Sequence, residues 1–315
     1  VSKLTAIDMF AGLGGFSEGA EQAGAQVLWA ANHWALAVNV HQRNHPKTKH
    51  VVQDLHQANW FEVPSMDLVL ASPACQGHSQ AATRQLARRR RGTAPRHDEY
   101  RATAWAVPSC AEVHDPPFVL VENVVDFKNW IGFKAWCGYW NDLGYSLSEH
   151  VLNAADFGVP QDRKRLFILA TRGRKPLVLN PRHREHVAFK SCVDSNAGNW
   201  EPVASKPPAV RARVAKGRKT FPRGMFMTQH VTGHPGRSLD RPLPTVTTKH
   251  QMALVRSGKS GDEMRMLTAD EYRCGMGFPD RYWLPDSICD SVKLLGNAVC
   301  PPVAAALVRE IMRRG

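Results

Sequence analysis

Six short β-rich runs alternate with helix-like stretches through the first half of the chain, and that alternation leaves few architectures open. "LTAIDMF", "QVLWAAN", "HVVQDL", "MDLVLAS", "FVLVENV" and "RLFILAT" read as strands, the middle ones apolar on both faces. A strand without a polar face must be covered on two sides, which calls for a parallel sheet layered by helices. Ala35 to Asn44 and Lys128 to Leu143 are long enough for crossover helices. The predicted class is α/β, doubly wound.

The composition changes after Thr171. From Arg172 to about Gly261 the chain is rich in Arg, Lys, Pro, Gly and His with weak periodicity, as in "SKPPAVRARVAKGRK", and reads as an irregular, basic second domain. The end changes back: "SVKLLGNAVCPPVAAALVREIMRR" is a loop feeding an amphipathic helix, with Pro301-Pro302 at its start and arginines in its last turn. The expected boundaries are 1–171, 172–287 and 288–315, the last segment returning to the first domain.

Charge narrows the partners. With 41 Lys+Arg against 28 Asp+Glu the chain carries +13, which favours a polyanion, because neutralising phosphates releases condensed counterions. The plainer alternative is a basic soluble enzyme. Apolar runs such as Phe118 to Val121 fall short of the roughly 20 residues of a membrane span, so no membrane is expected. "KLTAIDMF" reads as a strand and not as a secretory leader. The cysteines, at 75, 110, 137, 192, 274, 289 and 300, form no C-x-x-C pair. Neither a zinc site nor a disulfide framework is signalled, and a reducing, intracellular compartment is expected.

Several residues could carry chemistry. "DMFAGLGGF", Asp8 to Phe16, closes the first strand with glycines that let backbone approach a nucleotide, although such a turn also occurs without one. No Gly-Lys-Ser/Thr follows, so it is not a phosphate-gripping loop of the Walker kind. Asp54 could accept from an adenine amino group or simply cap a helix. Glu122 in "VENV" is a carboxylate at a buried strand end, hence a site residue or half of a buried ion pair. In "VPQDRKRLF" the alternation of extended chain points Arg163 and Arg165 the same way. Finally, "DLVLASPACQGHSQ" stops an apolar run at Ser72-Pro73 and places Cys75 at the tip of the following loop, as packing or as a nucleophile.

Jointly, and in order, these elements resemble the C5-type DNA cytosine methyltransferases almost end to end. The matching pieces are "FAGLGG" (Phe10 to Gly15), the Pro-Cys-Gln-like loop (Pro73 to Ser79), Glu-Asn-Val (Glu122 to Val124) and Gln-x-Arg-x-Arg (Gln161 to Arg165). "LTADEYRCGMGFP" (Leu267 to Pro279) and "GNAV" (Gly296 to Val299) follow, and "RPLPTVTTKH" (Arg241 to His250) resembles a tract near the end of the recognition domain. The resemblance implies a Rossmann-like methyltransferase sheet with a smaller target recognition domain, S-adenosyl-L-methionine as cofactor and S-adenosyl-L-homocysteine as product. It further implies duplex DNA as partner, bound by a monomer without metal, in a cytoplasmic, nucleoid-associated, prokaryotic or phage-encoded protein of the restriction-modification kind.

By the same resemblance, a Cys75 thiolate adds to C6 of a flipped-out cytosine. Glu122, protonated or sharing a proton, holds N3; Arg163 supplies positive charge near Cys75, and Arg165 completes the catalytic group. Phe10, Ala11, Gly12, Leu13, Gly15, His33, Trp34, Asp54, Leu55, Ser72, Asn297, Ala298 and Val299 are expected at the cofactor. Gln76, Ser79, Arg84, Arg88, Arg89, Gln161, Thr247 and Thr248 are expected at DNA, with Ser79 to His97 matching the family's mobile catalytic loop. The chain departs from the pattern at Ala74 (for proline), His78 (for phenylalanine) and His33, which replaces the acid that binds the ribose hydroxyls and is expected to hydrogen-bond one of them. A tRNA C5 methyltransferase and a catalytically silent DNA-binding relative are the alternatives.

Overall fold

The computed structural model describes residues 3–74, 103–173, 175–231 and 234–314. The chain forms two compact units. Unit 1 is Val1–Asn153, Lys164–His183 and Ala298–Gly315; unit 2 is Ala154–Arg163 and Arg184–Asn297. Residues 154–163, read from sequence with the first domain, therefore cluster with the second unit.

Unit 1 is a seven-stranded sheet. Its strands are β1 (Thr5–Met9), β2 (Gln26–Asn32), β3 (Lys49–Val52), β4 (Leu68–Ala71), β5 (Phe118–Asn123), β6 (Tyr145–Asn153) and β7 (Lys164–Arg172), in the order β3-β2-β1-β4-β5-β7-β6. The first five run parallel. All six predicted strands are present, and β4 is buried at every residue, as its unbroken apolarity requires. Two features differ from the sequence reading. Strand β7 runs antiparallel to both its neighbours, and β6, "YSLSEHVLN", was not anticipated. It is the edge of the sheet and only partly buried, so it carries polar residues along its length, whereas β4 at the centre carries none.

Helices α1 (Gly15–Ala23), α2 (Ala35–Asn44), α3 (Ala106–His114) and α4 (Phe133–Asp142) accompany this sheet. The core gathers Trp29, Val69, Val121, Phe127, Trp136, Trp140 and Tyr145, with the Trp136 indole donating to the Ala104 carbonyl at 3.0 Å. While residues 288–297 cluster with unit 2, the C-terminal helix Pro301–Arg314 clusters with this unit. It packs on α1 at Gly19, where an added Cβ would come within 2.4 Å of the Ala304 Cβ. Ile288–Arg314 is apolar and long enough to cross a membrane, but its most apolar stretch is mostly buried inside the protein and the helix is broken before Pro301.

Unit 2 is more regular than its composition suggests. Strands β8 (Phe226–Gln229), β9 (Met252–Gly258) and β10 (Gly261–Met266) form an antiparallel sheet, extended at its edges by Arg237–Ser238 and Glu201–Pro202. Helix α5 (Pro208–Thr220) covers it, and Val203, Val214, Phe226, Ala253, Val255 and Met264 make a small core. Strands β9, "MALVRSG", and β10, "GDEMRM", place their apolar residues in a run or singly and not in alternation, so they give no period-2 signal. Helix α6 (Ala269–Gly275) opens with a capping box between Thr268 and Glu271, and Glu271 also makes a buried ion pair with Arg265 at 2.6 Å. Helix α7 (Ile288–Asn297) ends the unit.

The unit also contains a disulfide, Cys192–Cys274, although the cysteine spacing signals no disulfide framework. The partners are 82 residues apart in sequence and 5.5 Å apart at Cα, so only the fold brings them together.

Candidate active site

In unit 1 the connections from β1 lead one way across the sheet, to β2 and β3, and those from β4 lead the other way, to β5. The carboxyl ends of β1 and β4 therefore flank a topological switch point, the usual place for a crevice in such sheets. After Met9 the chain turns through Phe10 (φ 59°), Gly12 (54°) and Gly14 (101°), then starts α1 at Gly15. The Ala11 amide donates to the Ala31 carbonyl at 3.0 Å and that of Gly14 to Ala11 at 2.8 Å, fixing the loop to its own strands. Gly15 is required. An added Cβ would lie 1.9 Å from the Val299 carbonyl oxygen, so the "FAGLGG" and "GNAV" segments meet backbone to backbone.

The next strand ends supply the rim. His33 is exposed and Trp34 half-buried, its amide donating to Asn32 Oδ1 at 2.9 Å. Asp54 is exposed and Leu55 buried. Asp54 accepts from the His56 amide at 3.0 Å and so caps the turn Leu55–Gln57, the plainer of its two readings. Ser72 donates from its hydroxyl to the Phe10 carbonyl at 3.3 Å, tying the end of β4 to the glycine loop.

The register of β4 on β5 pairs Ala71 with Val121. Glu122 follows, 7% exposed, with Arg165 Nε 3.2 Å from its Oε1. The ion-pair reading of Glu122 is thus realised at a strand end, beside the segment that leads through Pro73 and Ala74 into Cys75. Two residues not anticipated hold that segment. Asn123 donates to the Pro73 carbonyl at 3.2 Å, and Thr103 accepts the Ala74 amide at 3.2 Å. Asn123 had a signal, since alternation turns it to the opposite face from Glu122; Thr103 had none. Cys75, Gln76, Ser79, Arg84, Arg88 and Arg89 lie outside the described residues.

Gln161, Arg163, Thr247, Thr248 and Asn297 sit in unit 2. Gln161 and Arg163 are buried, and Thr247 and Thr248 are exposed. Asn297, exposed, is the last residue of α7, whereas Ala298 and Val299 are buried and belong to unit 1. Arg163 and Arg165 have different partners: Arg163 donates to the Val246 and Gly296 carbonyls, both at 3.0 Å, and Arg165 faces Glu122.

The family model for the C-5 cytosine-specific DNA methylases matches residues 4–197 and 188–313. The chain belongs to that family. This DNA cytosine-5 methyltransferase is 26% identical to the Type II methyltransferase M.MthTI of Methanothermobacter thermautotrophicus, over 96% of either chain. It is 27% identical to M.HhaI of Haemophilus parahaemolyticus, over 94% of this chain and 90% of that one. Among solved structures it is similar to the Entamoeba histolytica methyltransferase EhMeth (TM-score 0.71, 16% identity) and the S. pombe Dnmt2 methyltransferase (TM-score 0.67, 16% identity), each over 99% of both chains.

Beneath the glycine loop the methyltransferase buries a polar chain. Ser17 donates to Asp8 Oδ2 at 2.7 Å, so its oxygen is left to accept from His41 Nε2 at 3.0 Å. His41 Nδ1 then accepts from His50 Nε2 at 2.8 Å. Burial lowers the pKa of both histidines, that of His50 to about 4, with the neighbouring imidazoles adding to the effect. Both rings are therefore neutral near pH 7, as this donor order needs. Close by, Glu18, Glu21 and His45 bring ligand atoms within 4.8 Å of one another, with His45 Nδ1 3.0 Å from Glu21 Oε2. That spacing is also that of an ordinary histidine–carboxylate pair.

Proposed function

We propose that the enzyme transfers a methyl group from S-adenosyl-L-methionine to C5 of a flipped-out cytosine in duplex DNA, through a covalent bond between Cys75 and C6. The observation that carries this reading is the Glu122–Arg165 pair at the end of β5, beside the β4 extension that leads into Cys75.

A cofactor site at the switch point is consistent with the backbone there. The loop takes left-handed φ at Phe10, Gly12 and Gly14, and Gly15 admits the Val299 backbone where any side chain would close the gap. Phe10 to Leu13, Gly15 and Val299 would hold the nucleoside side, with Trp34, His33, Asp54, Leu55 and Ser72 around it and Asn297 and Ala298 contributing from "GNAV". His33 would hydrogen-bond a ribose hydroxyl in place of the family's acid. When bound, S-adenosyl-L-methionine supplies an electrophilic methyl sulfonium.

The chain's own residues prepare the other reactant. Cytosine C5 is a poor nucleophile; addition of the Cys75 thiolate to C6 pushes electron density onto it. Glu122 hydrogen-bonds N3 and stabilises that electron-rich ring, and Arg165 orients the Glu122 carboxyl group. After transfer the C5 proton is lost and the C6–sulfur bond breaks, regenerating Cys75. Neither ring face is accessible within a stacked duplex, so the base must rotate out, at a cost of a few kcal/mol. Gln76, Ser79, Arg84, Arg88, Arg89, Thr247 and Thr248 would meet the DNA.

Tritium transfer from methyl-labelled cofactor tests the reading. Label is expected on duplex DNA, absent from tRNA, and abolished by Cys75→Ser. Label on tRNA alone would make the RNA enzyme the correct reading, and label on neither would leave a DNA-binding relative.

A further inference from the structure

We infer that Gln161 and Arg163 are positioning residues for target recognition: they fix the backbone at Val246 so that Thr247 and Thr248 are presented outward. The inference rests on the proposed DNA contact of those two threonines, and it gives Arg163 a task other than charging Cys75.

The geometry of unit 2 points to it. Val246 is buried, and both its backbone groups are held by side chains of one short segment. Its amide donates to Gln161 Oε1 at 2.9 Å, and its carbonyl accepts from Arg163 Nη1 at 3.0 Å. The second polar atom of each terminal group is anchored as well. Gln161 Nε2 donates to the Gly275 carbonyl at 3.0 Å, and Arg163 Nη2 donates to the Gly296 carbonyl at 3.0 Å. Each side chain thus bridges the tract to a helix end, α6 for Gln161 and α7 for Arg163.

The flanking residues agree. Leu243 and Pro244 pair in parallel with Gln161 and Asp162, and the Thr245 hydroxyl donates to the Asp162 carbonyl at 2.7 Å. On the far side Gly296 leaves no room: an added Cβ would lie 2.4 Å from the Thr247 carbonyl oxygen and 2.6 Å from the Thr248 nitrogen. The tract is therefore clamped from Leu243 through Val246 and backed at Thr247, while Thr247 and Thr248 are both exposed, the Thr247 hydroxyl accepting from Gln251 Nε2 at 3.2 Å. A guanidinium suits this role because its planar fork reaches two carbonyls at once, and a lysine ammonium cannot reproduce that geometry. With an exposed fraction of 4% and two carbonyl acceptors, Arg163 is built as a brace.

The test uses the full chain acting on unmethylated plasmid DNA, with bisulfite sequencing to give the relative rate at every cytosine context. Arg163→Lys and Gln161→Ala are each expected to raise the KM for DNA at least tenfold. Both should cut discrimination between the best site and its one-base neighbours at least tenfold, with kcat within threefold and the calorimetric Kd for cofactor unchanged. Thr247→Ala/Thr248→Ala should give the same loss, and should add less than twofold on top of Arg163→Lys. A hundredfold fall in kcat with KM and site preference unchanged would make Arg163 catalytic and overturn the inference, as would no change in any of these quantities. Should the two variants fail to fold, Thr245→Val, which removes only the hydroxyl bond to Asp162, is expected to lower discrimination about threefold; unchanged discrimination would count against the brace. If wild-type chain methylates nothing, the proposed function has failed. The brace is then read by gel shift on the same plasmid, where Arg163→Lys must weaken binding at least tenfold or be rejected.

Discussion

Arg165 and Glu122 form an ion pair across neighbouring strands, with Nε 3.2 Å from Oε1 and both side chains mostly buried. Removing one partner of a buried pair leaves an uncompensated charge, typically at about 3–5 kcal/mol. Arg165→Ala is therefore expected to lower stability by about that amount in urea titrations. Adding Glu122→Gln to it should recover part of the loss, since the stranded carboxylate is gone. Glu122→Gln alone should keep the fold but slow methyl transfer by about 10²–10⁴-fold, the range of a lost acid–base group.

Gly15→Ala tests the contact between the two ends of the chain. Its Cβ would meet the Val299 carbonyl at 1.9 Å, a backbone atom that cannot rotate away. Overpacking of this kind costs about 1–3 kcal/mol or more. The variant should melt earlier and bind S-adenosyl-L-methionine at least tenfold more weakly by calorimetry. Gly24→Ala has open space around the new methyl but a φ of 100°, so it should lose stability without loss of cofactor affinity.

The buried histidines predict a pH dependence. The pKa of His50 falls from 6.5 to about 4, chiefly by burial and then by the neighbouring His41 and His45, and that of His41 is lowered by burial, which outweighs its interaction with Asp8. The unfolded chain thus binds more protons than the folded one between about pH 6.5 and 4. Stability is full above that window and is lost as pH falls through it. Tm should drop between pH 7 and 5.5, and His50→Gln should flatten the drop; an identical slope in the variant would remove His50 as its source.

The Cys192–Cys274 disulfide closes a long loop in unit 2. Thiol titration of the denatured, unreduced protein should find two fewer free thiols than the seven cysteines of the chain. Reduction, or Cys192→Ala with Cys274→Ala, should lower stability by about 2–4 kcal/mol.

Much of this architecture was legible because its strongest signals are local. The β4 run has no polar face and had to be central, and α2 occupies Ala35–Asn44 as its length suggested. The glycines of the first loop announced a close backbone approach, and Gly15 makes one. What escaped depends on distant chain. Strand β6 is polar because it is an edge, and no local pattern says which strand will lie at the edge. Cys192 and Cys274 meet only once unit 2 has folded, and Thr103 finds the Ala74 amide from beyond a long intervening segment. Arg163 and Arg165 looked equivalent in extended chain; their separation follows from Val246 and Gly296, which the segment's own sequence does not contain.

The central claim is a covalent bond from the residue 75 sulfur to a cytosine ring, and a duplex carrying 5-fluorocytosine tests it most directly, because fluorine at C5 cannot leave as the proton does. Incubated with S-adenosyl-L-methionine, the wild-type chain is predicted to form a denaturation-resistant adduct mapping to Cys75 and absent from Cys75→Ser. Tight binding of that duplex and of the methyl donor without any adduct, or an adduct that survives Cys75→Ser, would contradict the claim.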